Sequence, residues 1–230
     1  MAGGDTPAGD IEGRRAALRA RFPVWQPATL GDFLASCAAE YGERPFVLTD
    51  DRTVSYAEAD SWATRLADGL AALGIRPGDR VGVLMANYLE FVPVKFAIAR
   101  AGAVAIPFNY LYRTAELGYV LAQSQCHALV TMTGFAGLDY LAMLDEIAPG
   151  WERGPTAALP DLRAVVLLDT GGPGLRAGVL DVPGLAALGE AHAGASGASG
   201  ASGAAGAAGA PGAGMGVGAG VTPDSPGDIL

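Results

Sequence analysis

The chain has 230 residues, of which 50% are hydrophobic and 7% aromatic, so it is long enough for one or two domains with a packed core. Its formal net charge of -9 opposes the phosphate backbone of DNA and RNA, which argues against nucleic acid as a general partner. Cys37 and Cys126 have no CxxC spacing, so we expect no disulfide and a reducing, cytoplasmic compartment. The N-terminus lacks an apolar h-region and charged residues interrupt the apolar run 91–108, so we expect neither export nor a membrane span.

The first structured elements follow a polar lead-in, residues 1–28. Within it we expect a short helix over 14–21, whose arginines form a solvated face. From Thr29, a predicted N-cap, apolar residues recur at helical spacing until Gly42, which predicts an amphipathic helix. Residues 46–49 and 53–55 flank a turn and predict a short hairpin.

A capping box opens the next helix. The Ser55 hydroxyl and the Glu58 carboxylate are each expected to accept a hydrogen bond from an unpaired amide at the helix start. Apolar residues then recur at three- and four-residue spacing up to Leu73, and Gly74 is the predicted stop. One face of this helix must therefore pack against a sheet or another helix.

Strands and helices alternate through the rest of the foldable chain. Apolar runs predict strands at 81–85, 103–106, 128–132 and 164–168. Helices are expected after a box-like cap formed by Asn87 and Glu90, after a cap at Thr114, and over 138–148. Pro93 implies that the first of these is kinked or begins late. Short connections between alternating elements predict an α/β fold with a mostly parallel sheet flanked by helices.

A Gly/Ala/Ser-rich tract occupies residues 193–220, with Gly-x-y triplets from Gly194 to Gly214. Large apolar side chains are too few there to offset about 1–2 kcal/mol of backbone entropy per ordered residue. A single proline in the triplets, Pro211, argues against a collagen helix. We therefore expect the packed part to end near Glu190 and a disordered low-complexity linker to cover 191–221.

Residues able to carry catalysis or bind a metal are scattered. The sole lysine, Lys95, follows no glycine-rich turn, which excludes a lysine-dependent phosphate loop within these residues. His127 and His192 are too far apart to suggest a zinc site, and Cys126 and His127 point to opposite faces of a strand. The glycine-rich segment 171–174 is interpreted as a surface turn. We assign no catalytic, cofactor-binding or metal-binding residue.

Three segments carry a family resemblance. They are 54–59 (VSYAEA), 78–87 (GDRVGVLMAN) and 101–109 (AGAVAIPFN), and 116–121 (ELGYVL) continues the match. In order and spacing they resemble the N-terminal part of the AMP-dependent synthetases and ligases, the adenylate-forming superfamily, and within it bacterial acyl-CoA synthetases. The resemblance covers about 29–169 and resumes at 222–230. It identifies 29–190 as a partial N-terminal domain and 222–230 as the truncated start of the segment before the phosphate-binding loop.

The resemblance implies a ligase reaction. In that family a carboxylate attacks the α-phosphate of ATP with the help of magnesium, and the acyl group of the adenylate passes to the thiol of coenzyme A. The family's phosphate loop ends in Pro-Lys-Gly, and its catalytic lysine lies in a C-terminal domain. Neither has a counterpart among these residues, so no cofactor is assigned to this chain, and ATP, magnesium and coenzyme A are implied only for the full-length family.

Two hypotheses about function follow. The first is the N-terminal portion of an acyl-CoA synthetase of fatty acid metabolism, truncated or split, inactive alone and completed in trans by the missing C-terminal part. The second is a non-catalytic α/β module, derived from the same fold, that binds a partner or small molecule. The acid substrate and the oligomeric state stay open between them.

Overall fold

A computed structural model describes residues 11–21 and 28–202 of the chain. Most of the lead-in, most of the predicted linker and all of 222–230 therefore lie outside the described residues. The described helices and strands are α1 (Ile11–Arg21), α2 (Leu30–Tyr41), β1 (Pro45–Leu48), β2 (Thr53–Ser55), α3 (Tyr56–Ala72), β3 (Arg80–Leu84), α4 (Phe91–Arg100), β4 (Val104–Pro107), α5 (Thr114–Ser124), β5 (Ala128–Met132), β6 (Gly134–Phe135), β7 (Leu138–Asp139), α6 (Tyr140–Ile147), β8 (Ala164–Leu168), β9 (Leu180–Asp181) and α7 (Val182–Ser202).

The central element is a five-stranded sheet in the order β4-β3-β5-β8-β9, and every neighbouring pair is parallel. The predicted α/β fold with a mostly parallel sheet is confirmed. The chain runs from β3 outward to β4 and then crosses to β5 on the other side of β3. This reversal of strand order creates a topological switch point between β3 and β5, where ligands bind in many open α/β sheets.

The core lies around the two central strands. All five residues of β5 are buried, and Val81, Val83 and Leu84 of β3 are at most 3% exposed. Helices α2, α3, α4 and α7 contact one another as one group, and α5 contacts α6 as another. Strand β4 is less buried than β3 and β5. It lies at the sheet edge, and Val104 is 51% exposed.

The helix starts depart in part from the predicted caps. Thr29 and Ser55 cap α2 and α3 as predicted, accepting hydrogen bonds from Asp32 N–H and Glu58 N–H, each at 3.1 Å. The second half of the predicted box is wrong, because the Glu58 carboxylate accepts from the Arg52 guanidinium. The predicted cap at Thr114 is also wrong. Thr114 is the first residue of α5, and Arg113 is the N-cap.

Helix α4 begins at Phe91 and accommodates Pro93 in its first turn. Its first helical hydrogen bond runs from Val94 N–H to Glu90 O at 3.0 Å, so the missing N–H of proline falls among amides that have no intrahelical partner. Glu90 is the N-cap without a side-chain hydrogen bond, so the predicted side-chain cap is wrong.

Helix α7 was not predicted and continues through Ser202, twelve residues into the predicted linker. It packs closely on α3, and Arg65 of α3 pairs with Glu190 at 3.2 Å. Beyond Glu190, residues 191–195 are all exposed. Alanine, the strongest helix former, stands at 191, 193 and 195, which favours a helix there without burial.

Candidate functional site

An open cleft of about 600 Å³ lies at the carboxyl edge of the parallel sheet. Tyr88, the 134–139 segment and the 170–173 loop line it, and these follow the ends of β3, β5 and β8. The cleft therefore lies beside the switch point between β3 and β5. Topology alone makes it the candidate ligand site.

A short β-hairpin with a two-residue turn forms one wall of the cleft. Strands β6 and β7 pair Phe135 with Leu138, and the turn residues Ala136 and Gly137 have φ of 48° and 80°. Positive φ at both turn positions is the geometry that fits the twist of a tight hairpin. The sequence pattern does not predict this hairpin, because each strand has only two residues. The Ala-Gly pair is a weaker turn signal than Asn-Gly.

Two threonines bind the ends of β5 and β8 to each other. Thr170 N–H donates to Thr133 Oγ1 at 3.1 Å, and Gly134 N–H donates to Thr170 Oγ1 at 3.1 Å. Thr133 N–H also donates to Leu168 O at 2.9 Å, and Thr133 is fully buried. Each hydroxyl thus satisfies a backbone amide just past the strand ends, which fixes the floor of the cleft.

Aromatic side chains pack around the hairpin residue Phe135. Phe135 meets Tyr110 edge-on with ring centroids 5.2 Å apart and meets Tyr88 edge-on at 6.4 Å. The buried Tyr140 donates its hydroxyl hydrogen to Tyr110 O. Edge-to-face packing holds these rings in fixed orientations. Partly buried rings of Tyr88 and Phe135 can then contact a flat or apolar ligand group.

The phenol of Tyr140 is a permanent hydrogen-bond donor. Burial, followed by the neighbouring Tyr88 and Tyr110, raises the pKa of Tyr140 to about 12. At neutral pH the hydroxyl therefore stays protonated and donates its hydrogen to Tyr110 O. Its role is to hold the 110 loop against α6.

Asp139 is the single carboxylate among the described residues that line the cleft. It is the N-cap of α6, and its Oδ1 accepts a hydrogen bond from Ala142 N–H at 2.9 Å. A carboxylate engaged in this way stabilises the helix start. With aromatic rings, threonine hydroxyls and backbone groups as the rest of its lining, the cleft is suited to binding an organic ligand rather than to acid–base chemistry.

The glycine-rich segment 171–174, interpreted as a surface turn, is exposed at 171–173 and also borders the cleft. Gly171, Gly172 and Pro173 lie on the rim of the cleft, directly beyond β8. Gly171 N–H donates to Asp169 Oδ1 at 3.1 Å, and Gly171 and Gly172 have φ of 76° and 98°. These positive φ values explain why glycine stands there.

The other residues weighed for chemistry lie elsewhere. Lys95 is exposed on α4. His127 lies at the amino edge of the sheet, where its Nδ1 accepts from Arg80 N–H at 3.1 Å and its Nε2 is 3.5 Å from Asp79 Oδ1. Cys126 contacts Ser124 Oγ at 2.9 Å, and burial raises the pKa of its thiol. Within residues 11–21 and 28–202 no group of three metal-binding side chains comes together.

Comparison with known proteins gives a consistent family. The model of the family described as AMP-binding enzyme matches residues 34–172, which include β3, β5, β8 and all of the cleft lining except Pro173. Triostin synthetase I of Streptomyces triostinicus is 38% identical over 129 residues, or 56% of this chain and 24% of that protein. The salicyl-AMP ligase / salicyl-S-ArCP synthetase of Mycobacterium tuberculosis is 35% identical over 164 residues, which are 69% of this chain and 28% of that protein. The mitochondrial medium-chain acyl-CoA ligase of Danio rerio is 31% identical over 156 residues, which are 65% of this chain and 26% of that protein.

Solved structures share the fold. The apo structure of MbtA from Mycobacterium smegmatis superposes with a TM-score of 0.57 at 30% identity, covering 76% of this chain and 30% of that one. The anthranilate CoA ligase AuaEII in complex with anthranoyl-AMP gives a TM-score of 0.60 at 23% identity, with 72% and 29% covered. The chain spans about a quarter of the length of the curated relatives it matches.

Proposed function

Since this chain belongs to the AMP-binding enzyme family, we propose that it is the N-terminal portion of an acyl-CoA synthetase-like ligase. The complete enzyme would convert a carboxylic acid, ATP and coenzyme A into acyl-CoA, AMP and pyrophosphate through an acyl-adenylate. The observation that carries the proposal is the family match over residues 34–172, which contain strands β4, β3, β5 and β8 of the parallel sheet and all of the cleft lining except Pro173.

The relatives support this choice of chemistry. One is a medium-chain acyl-CoA ligase and another a salicyl-AMP ligase, so their names include both the thioester and the adenylate of an acid. We propose a fatty or aryl acid as substrate and the cytoplasm as the compartment.

The described residues do not fit ATP phosphates or magnesium. The cleft holds one carboxylate, Asp139, which already caps α6, and Lys95 is exposed on α4. Preorganised donors to a transferring phosphoryl group are a large part of catalysis, and losing even one commonly costs about 10²–10³ in rate. We therefore assign no adenylation step to this chain and expect it to be inactive by itself. We propose that this chain contributes the cleft to the complete enzyme, and that the cleft holds an uncharged organic part of a substrate.

The test is acid-dependent exchange of labelled pyrophosphate into ATP. The purified 230-residue chain should give no exchange above a blank without protein, with either salicylate or a medium-chain fatty acid. Adding a second polypeptide that carries the remainder of a matching ligase should restore exchange and acyl-CoA formation. Exchange by the chain alone would contradict its inactivity, and no rescue by any such partner would favour the non-catalytic module.

A variant pair tests the role of the cleft in the rescued enzyme. Phe135→Ala removes the ring that packs between Tyr88 and Tyr110, and it should raise KM for the acid or for coenzyme A. The matched control is Tyr119→Ala on α5, because Tyr119 is 67% exposed and lies outside the cleft lining. Equal kinetics for the two variants would remove the cleft from the proposal.

A further inference from the structure

Helix α1 carries large apolar side chains between arginines. Ile11 and Leu18 are seven residues apart and so lie on the same face of the helix. Arg14 and Arg15 flank that face on its two sides, and Arg19 follows one turn later beside Arg15. The helix holds four arginines against one glutamate, whereas the whole chain has a net charge of -9.

The domain core does not use this apolar face. No residue of α1 is buried, and Ile11 and Leu18 are 59% and 57% exposed. The helix is tied to the domain by an ion pair between Arg21 and Glu40 of α2. Arg14, Arg15 and Arg19 are exposed as well. A solvated face, as expected from the arginines alone, does not explain why the largest apolar side chains of the helix point outward among them.

We propose that α1 lies flat on an anionic lipid bilayer. Ile11 and Leu18 would enter the boundary between head groups and acyl chains, and the guanidinium groups of Arg14, Arg15 and Arg19 would contact lipid phosphates. No helix within the described ranges is long and apolar enough to cross a membrane, so the contact is interfacial. A nucleic acid would match the arginines but leave the two apolar side chains without a partner. This inference does not depend on the proposed ligase activity.

The experiment is flotation of the full chain with vesicles. Vesicles of phosphatidylcholine containing about one third phosphatidylglycerol should carry the chain upward, whereas pure phosphatidylcholine should not. Molar salt should release it, because the Debye length then falls to about 3 Å. The triple variant Arg14→Gln/Arg15→Gln/Arg19→Gln should partition roughly a hundredfold more weakly, since each arginine near an anionic surface contributes about fivefold.

A matched control removes the same charge from the body of the domain. Arg76, Arg113 and Arg153 are exposed and lie outside α1, so replacing all three by glutamine should leave flotation within about twofold of wild type. Leu18→Ser keeps every charge and should still reduce partitioning about tenfold or more, because a buried Leu side chain is lost. Every α1 variant should keep the wild-type melting temperature, since α1 buries nothing.

Several results would overturn the proposal. They are no flotation of the wild-type chain, equal loss in the α1 and control triples, or unchanged flotation of Leu18→Ser. Binding of an RNA oligonucleotide that requires the α1 arginines, without vesicle binding, would assign the helix to nucleic acid instead. A dimer in size-exclusion chromatography that dissociates in the α1 triple, again without vesicle binding, would assign it to a second copy of the chain.

Discussion

The crossing of α3 and α7 leads to a sharp prediction about Gly189. The two backbones approach so closely that a Cβ added at Gly189 would lie 1.9 Å from Arg65 O and 2.7 Å from Gly69 N. The same crossing is tight from the other side, where a Cβ at Gly69 would lie 2.2 Å from Leu185 O. These contacts involve backbone atoms, so no side-chain rotation can relieve them. Gly189→Ala must therefore push the two helices apart.

The magnitude follows from two opposing effects. The shortest clash is between the added carbon and the Arg65 oxygen, and real Cβ atoms essentially never come within 3.0 Å of such an atom, so the helices must separate by about 1 Å to admit the methyl group. Overpacking of this kind costs about 1–3 kcal/mol and occasionally more. Replacing glycine by alanine inside a helix gains about 1 kcal/mol. Because the clash is with backbone, we expect the upper end of the cost and a net loss of about 2 kcal/mol.

Thermal unfolding followed by circular dichroism measures the effect. For a protein of this size a loss of about 2 kcal/mol lowers Tm by about 4–8 °C. Gly194→Ala is the matched control in the same helix, because nothing lies within 4 Å of a Cβ at that position. It should leave Tm unchanged or raise it slightly. A Gly189→Ala variant as stable as Gly194→Ala would refute the close packing of α7 on α3.

Three further expectations concern stability. Tyr140→Phe loses the hydrogen bond to Tyr110 O and should cost about 0.5–1.5 kcal/mol in urea unfolding. Folding raises the pKa of Tyr140 from 10.0 to about 12. The contribution of Tyr140 to the free energy of unfolding is therefore complete below pH 10 and declines as the pH rises toward 12. The Phe variant should lack this decline. The Arg176 guanidinium lowers the pKa of Asp145 below its ordinary value of 3.8. Asp145→Asn should therefore destabilise the fold at pH 7, and the difference from wild type should disappear as the pH falls below 3.8 and Asp145 becomes protonated. Deleting 193–220 should change Tm by less than about 2 °C, because 191–195 are exposed, and a larger drop would show that the tract packs.

The central part of the fold could be predicted because its signals are local. Strands β5 and β8 coincide with continuous apolar runs, and a strand buried on both faces must have such a run. Thr29 and Ser55 could be predicted as caps because a hydroxyl just before a helical pattern commonly accepts from a free amide of the first turn, although the same signal placed the cap one residue late at Thr114. Each of these features depends on fewer than ten consecutive residues, so the sequence pattern carries them directly.

Helix α7 could not be predicted in the same way. Its stretch is rich in Gly and Ala, a composition typical of flexible segments, and it offers few large apolar side chains. The structure shows that the small residues are what permits the contact, because Gly69 and Gly189 let the backbones of α3 and α7 approach closely. Helix packing of this kind requires a partner glycine 120 residues away, which no local pattern reveals.

The candidate site could not be predicted either, because it also depends on residues that are distant in the sequence. Its residues follow three strands that are neighbours only because the order is β4-β3-β5-β8, and alternation of strands and helices predicts a parallel sheet without fixing that order. Once the order is known, the end of β5 must lie beside the ends of β3 and β8. Tyr88, Phe135 and Thr170 then meet in one cleft although none belongs to a recognisable motif. A scaffold of this kind can supply ligand-binding surface through topology while its sequence shows only structural features.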